Sequence, residues 1–286
     1  MAPKRSYLFV PAVSEKIMGK ALSSAADSVI FDLEDAVAIN EKEIARERAK
    51  NYLLNYPAEK DVYIRINDFT TVYWRKDIES AVESGAKGII VPKAESGRSM
   101  KVICQIVIEL LERAGRKGDL FEVLPLIETA SGVHFAYEIA NSHSLIPRLV
   151  FGSIDYSLDI DCELTDGGEE LYFARSQIVN ASRAAGIGSP VDAVYPDLSN
   201  EEGLFREAVR ARISGFKSKL SIHPKQLNAI HQVFTPDEKV LEEAREIVEA
   251  FEEAELKGSA SISVRNKLVD YPVYKKAKGL LQYAGL

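Results

Sequence analysis

The sequence predicts an α/β protein: a single (β/α)8 TIM barrel with a C-terminal helical extension. Three observations predict it. Short apolar runs recur eight times between Ser6 and Ile222. Their mean spacing is about 30 residues, the length of one strand plus one helix. The stretches between them are charged and helix-like, and several stop at a glycine. Eight such units without a large gap suit a closed barrel better than an open doubly wound sheet.

The strands are expected at residues 6–10, 28–33, 62–66, 88–91, 123–127, 149–152, 191–194 and 219–222. They are brief and rich in β-branched and aromatic residues, as strands buried on both faces of a parallel sheet must be. Helices are expected at 76–84, 100–113, 169–185 and 201–213, ended by or near Gly85, Gly115, Gly186 and Gly215. The barrel is assigned to residues 1–232 and the extension to 233–286. In the extension, Thr235 reads as an N-cap, Pro236 as a first-turn residue and Glu238 as an acid at the third position. A helix then runs to about Leu256 on a stripe of Val240, Leu241, Ala244, Ile247, Val248 and Phe251. Its acidic run at 249–255 is a solvated face. A turn at Gly258 and a last short helix from Val273 complete the chain. A barrel does not need this tail to close, so the tail caps the barrel or reaches a neighbouring subunit.

Composition excludes several classes. The 286 residues carry a net charge of −7 and a pI near 5.4, against a dedicated nucleic-acid binder or a polybasic membrane-surface protein. Cys104 and Cys162 stand in no CxxC pattern, which argues against disulfides and zinc and for reduced thiols. No apolar run approaches 20 residues, and the N-terminal run is too short for a signal peptide. A soluble cytoplasmic protein is expected.

In a barrel, chemistry sits at the carboxyl ends of the strands. There the sequence places Asp32, Glu34 and Asp35 after the second run, Arg65 in the third, Lys93 after the fourth, Glu128 after the fifth and Asp155 after the sixth. Glu128 and Asp155 are one βα step apart. Two hard oxygen donors without a histidine or cysteine beside them suit Mg²⁺ or Mn²⁺; the competing reading is helix capping or pairing with Arg65. Arg65 suits a carboxylate or a developing enolate oxygen. Asp32, Glu34 and Asp35 read either as an outer layer that orients Arg65 and metal-bound waters or as a structural ion pair. His223, before Pro224, reads as a general base or as a hydrogen-bonded histidine. No GxGxxG, GxSxG, HExxH or P-loop pattern is present.

Taken in order, these segments resemble the citrate lyase β-subunit family within the HpcH/HpaI aldolase superfamily. The carriers are RSYLFVP at 5–11, FDLEDAV at 31–37, IRIN at 64–67, PKAE at 92–95, IETA at 127–130, FGSID at 151–155, DAVYPD at 192–197, IHPKQ at 222–226 and VDYP at 269–272. The resemblance implies a Mg²⁺-dependent carbon–carbon lyase that cleaves citryl-, malyl- or citramalyl-CoA-type thioesters into an acetyl thioester and a 2-oxo acid. It implies Glu128 and Asp155 as metal ligands and Arg65 as a substrate contact. It also implies that Asp270 acts as an acid from a neighbouring subunit's tail, hence a homotrimer or hexamer. Lys4 and Arg5, with Lys93, are the thioester-binding candidates. Free CoA and an acyl-carrier thioester, as in a citrate lyase complex, remain open as carriers. Ala12 and Ser218 stand where relatives usually carry glycine. The alternative activities are a malyl-CoA-type thioesterase and a Mg²⁺-dependent aldolase on free 2-keto-3-deoxy acids.

Overall fold

The computed structural model describes residues 4–56 and 58–286. Among them, eight parallel strands close a barrel in sequence order: β1 (Ser6–Pro11), β2 (Ser28–Asp32), β3 (Asp61–Arg65), β4 (Gly88–Val91), β5 (Glu122–Ile127), β6 (Val150–Phe151), β7 (Val191–Asp192) and β8 (Ser218–Ser221). β1 pairs with both β2 and β8, which closes the ring. The period of two along each strand sends alternate side chains inward. Tyr7, Ile30, Tyr63, Ile90, Leu124, Leu126, Val150, Val191 and Leu220 pack as one buried cluster. Each large apolar side chain so buried contributes about 1.5–3 kcal/mol.

The expected helices form, with shifted starts. Trp74–Glu83 begins two residues before the expected position. Gly97–Arg113 begins earlier because Ser96 caps it, its side chain accepting from the Ser99 N–H at 3.2 Å. The stretch from Glu169 opens as one tight turn and becomes α-helical at Tyr172–Ala184. Gly215, at φ 114°, ends Glu201–Ser214 in a conformation that other residues rarely adopt.

The chain divides into two compact units, residues 5–231 and Lys4 with 232–286. In the second, the cap of the helix Glu238–Leu256 is Asp237, whose carboxylate accepts from the Lys239 N–H at 2.8 Å. Asp237 rather than Thr235 caps the helix, as the stronger capping side chain of the two. A hairpin absent from the expected pattern follows: β9 (Ile262–Val264) and β10 (Lys267–Val269). Its two-residue turn puts Arg265 and Asn266 at φ 49° and 60°, a turn that sequence signals usually announce by Asn-Gly. The final helix is not short: it spans Tyr271–Ala284. Phe251, Val264 and Val269 form this unit's own small core. No helix among the described residues is long and apolar enough to cross a membrane.

Candidate active site

Strand register builds the first half of the site. Asp32 and Arg65 end neighbouring parallel strands and are partners across the β2–β3 ladder. The Arg65 fork donates from Nε to Asp32 Oδ1 at 2.7 Å and from Nη2 to Oδ2 at 2.6 Å. Such two-point pairing fixes the plane of the guanidinium as well as its charge. Nη1 lies 3.0 Å from Glu34 Oε2 and 3.5 Å from Asp35 Oδ2. The Glu34 contact lacks hydrogen-bond alignment, and Oε2 finds no hydrogen-bond partner among the described residues. From below, the Phe9 ring supports the guanidinium at 4.9 Å. Burial works against the Arg65 charge, but the Asp32 hydrogen bonds and the acids around it outweigh burial and raise its pKa.

The second half lies on β5 and β6. Ile127 and Phe151 are register partners, so Glu128 passes close to Gly152. A Cβ at Gly152 would sit 2.7 Å from both Glu128 Cβ and Oε2; glycine is what makes room for the carboxylate. Glu128 is 3% exposed. Its Oε1 accepts from the Lys93 N–H at 2.9 Å. Asp155 is not on a strand end; it lies in the first turn of the helix Ser153–Asp159, which Gly152 starts. No hydrogen bond or ion pair among the described residues holds its half-buried carboxylate.

Electrostatics joins the halves. Burial pushes Glu128 up to about 8, reinforced by Glu34 and Asp155 and opposed by the Lys93 N–H and by Arg65. Burial likewise pushes Glu34 up to about 7, with Asp35 and Asp32 adding to it and Arg65 and Lys93 opposing. The mouth thus gathers more carboxylate than its side-chain cations offset. Arg65 is committed to Asp32. Lys93 is 41% exposed, with Nζ 3.7 Å from Asp68. An acid-rich pocket of hard oxygens, one carboxylate buried and one unpartnered, fits a small divalent cation that takes further oxygens from water or ligand. Among the described residues, no group of three His, Cys, Asp or Glu side chains forms a protein-only metal cage.

Lys93 itself adopts φ 46°, rare for a residue with a side chain, and this conformation delivers its N–H to Glu128. A cavity of about 390 Å³ opens beside it, lined by Asp68, Phe69, Thr70, Ser96 and Ser131 among others. A larger cleft of about 680 Å³ opens at the amino ends of β3–β5 and contains none of the site residues.

Other expected residues lie elsewhere. Arg5 precedes β1, at the opposite end of that strand from the mouth, and its guanidinium is taken by Asp27 at 2.9 Å. That pairing and that position speak against the expectation that it binds substrate. Sequence position alone cannot tell the two ends of a strand apart when both adjoin polar residues. Lys4 belongs to the other compact unit. There too, Asp270 caps the last helix, its Oδ1 accepting from the Val273 N–H at 3.2 Å. His223 is half-buried and its Nδ1 accepts from the Lys225 N–H at 3.1 Å, which favours the hydrogen-bonded reading.

The model of the HpcH/HpaI aldolase/citrate lyase family matches residues 5–224. The chain belongs to that family. It is similar to the citrate lyase subunit beta of Haemophilus influenzae, with 34% identity over 99% of this chain and 98% of the relative. An L-malyl-CoA/beta-methylmalyl-CoA lyase of Cereibacter sphaeroides is 31% identical over 99% of this chain and 95% of its own. Among solved structures, the CitE protein of Mycobacterium tuberculosis in complex with magnesium, acetoacetate and coenzyme A superposes with a TM-score of 0.78. It is 29% identical, covering 100% of this chain and 99% of that one. The family and these lyase relatives make the chain an enzyme of the lyase class.

Proposed function

We propose that the protein is a Mg²⁺-dependent carbon–carbon lyase that cleaves a 3-hydroxyacyl thioester of the citryl, malyl or citramalyl type by a retro-Claisen reaction. The observation that carries this reading is the carboxylate surplus around Glu128 and Asp155, facing an arginine already fixed in plane by Asp32. Relatives named as citrate and malyl-CoA lyases, and one solved with magnesium and coenzyme A, support it.

Glu128 and Asp155 would hold the ion. When bound, Mg²⁺ supplies Lewis-acid polarisation of the substrate's hydroxyl and adjacent carboxylate. Glu34, pushed up to about 7 mainly by burial, adds to the negative field at Glu128, and the Arg65 charge opposes it at both. A base takes the hydroxyl proton, the hydroxyl oxygen becomes the carbonyl of a 2-oxo acid as the C–C bond breaks, and the electron pair of that bond passes to the departing acetyl thioester as its enolate. The Arg65 charge is preorganised where the enolate oxygen develops. Asp270, brought by the tail of a neighbouring subunit in a trimer or hexamer, would return a proton to the enolate carbon. Lys93 would contact the thioester portion, carried by CoA or by an acyl carrier.

The test is a coupled assay on citryl-, malyl- and citramalyl-CoA with and without Mg²⁺, following 2-oxo acid and free thiol separately. Mg²⁺-dependent 2-oxo acid without free thiol is the expected result. Free thiol without 2-oxo acid would make the enzyme a thioesterase. No turnover of any CoA ester would move the activity to a carrier-bound thioester or a free-acid aldol substrate.

A further inference from the structure

The helix Lys42–Asn55 buries what a surface helix normally exposes. Its inward face is Lys42, Ala45, Arg46, Ala49 and Leu53. Lys42 is 7% exposed and Arg46 4%. The two are four residues apart and therefore stack on one face. Two buried cations are costly unless each is met by well-placed acceptors.

Lys42 Nζ and Arg46 Nε are met by acceptors next to Asp32 and Arg65, while the buried Arg46 Nη2 has no hydrogen-bond partner among the described residues. Lys42 Nζ donates to the main-chain carbonyls of Leu33 at 2.9 Å and Glu34 at 2.5 Å. These residues directly follow β2, between Asp32 and Asp35. Arg46 Nε donates to Asp77 Oδ1 at 2.7 Å. Asp77, fully buried on the helix Trp74–Glu83, uses Oδ2 to accept from the Asn67 N–H at 2.9 Å and from its Nδ2 at 2.7 Å. Asn67 is two residues beyond Arg65. One helix face therefore grips both loops between which the guanidinium lies. Lys42 places its charge on two carbonyls rather than on a carboxylate, which leaves Asp32 and Glu34 for Arg65.

We propose that Lys42 and Arg46 are positioning residues for Arg65. Lys42 fixes the main chain that carries Asp32 and Glu34, and Arg46, through Asp77, fixes the main chain that leaves Arg65. The consequence for turnover rests on the assignment of Arg65 to the enolate oxygen; the consequence for the guanidinium does not. A misplacement of about 1 Å at such a group costs on the order of 100-fold in rate.

The experiment uses the full chain labelled with ¹⁵N-arginine. The Arg65 Nε–H signal is assigned by its loss in Arg65→Lys, and its exchange with solvent is followed in wild type, Lys42→Met, Asp77→Asn and the control Lys50→Ala, whose lysine lies on the same helix as Lys42 and pairs with Glu83 of the helix Trp74–Glu83. In parallel, kcat and KM are measured on citryl-, malyl- and citramalyl-CoA. The expected result is faster exchange in Lys42→Met and Asp77→Asn but not in Lys50→Ala. A fall in kcat of about 10- to 100-fold with little change in KM should accompany it. Should Lys42→Met fail to fold, the near-isosteric Asp77→Asn carries the same comparison. An Arg65 signal unchanged in both variants overturns the proposal. A signal that moves while kcat stays constant supports the positioning role and overturns the catalytic assignment of Arg65.

Discussion

Two buried ionic clusters in this barrel start from the same local device and end differently. At β2–β3 the register partners are Asp32 and Arg65; at β7–β8 they are Asp192 and Lys219. In the second cluster Lys219 Nζ donates to Asp192 Oδ2 at 2.7 Å and to Glu207 Oε1 at 2.6 Å, and Arg175 Nε donates to Asp192 Oδ1 at 2.8 Å. Two cations meet two carboxylates. Burial works to raise Asp192, but Arg175 and Lys219 outweigh it and hold the carboxyl below its usual range. At β2–β3 the ion pair is equally well made, yet Glu34, Asp35, Glu128 and Asp155 gather around it, and Glu34 and Glu128 are pushed up to about 7 and about 8. The balanced cluster explains itself as structure. The unbalanced one has carboxylates left over, and under the proposed function an added cation would balance them at the reactive end of the barrel.

The comparison can be broken most severely at Glu128. Glu128→Gln keeps the shape and removes the charge. Lyase turnover with saturating Mg²⁺ should fall by more than the roughly 100-fold that an outer partner of a metal ligand costs. The melting temperature should hold or rise, because an unneutralised buried carboxylate is gone. Asp192→Asn should do the reverse. Denaturant unfolding should lose about 3–5 kcal/mol, since Arg175 and Lys219 stay buried without their shared acceptor, while kcat per folded molecule stays unchanged.

Gly152→Ala is the next step down. Its methyl would meet Glu128 Oε2 at 2.7 Å, so the carboxylate must shift. Mg²⁺ affinity by titration calorimetry should weaken by about 10- to 100-fold, with the barrel still folded by circular dichroism.

The smallest effect is in pH dependence, where the clusters have opposite signs. Glu34 and Glu128 have folded-state pKa values raised above 4.5, so the folded state binds more protons than the unfolded one between about pH 4.5 and 8. Their contribution to metal-free stability is therefore full below that window and lost as pH rises through it. Asp192 has a lowered value, so its contribution is present above 3.8 and lost as pH falls below it. Unfolding curves of metal-free protein across this range should show both slopes, and Glu128→Gln should flatten only the alkaline one.

Much of this was legible in the sequence because barrel strands are short apolar runs with polar residues just beyond them. Asp32, Arg65 and Glu128 were placed at strand ends that way, and the register that joins Asp32 to Arg65 fits their standing one βα step apart. Lys42 and Arg46 were not legible, because a buried lysine and arginine four apart look like a solvated helix face. A weak amphipathic pattern in that helix was the available signal. Lys93 could be found as a residue but not as a left-handed backbone that serves Glu128 through its N–H. Arg5 became a thioester-binding candidate through the family resemblance; its pairing with Asp27 was not legible because the two are remote in sequence.

The central claim is that the surplus carboxylates take up a divalent cation. The direct measurement is the melting temperature of metal-free wild type and Glu128→Gln, titrated with MgCl2 at pH 6 and at pH 8. Wild type should be stabilised by Mg²⁺, more strongly at pH 8, where Glu128 and Glu34 give up their protons more readily, and Glu128→Gln should respond weakly at both. Equal Mg²⁺ responses in the two proteins, or none in either, would contradict the account.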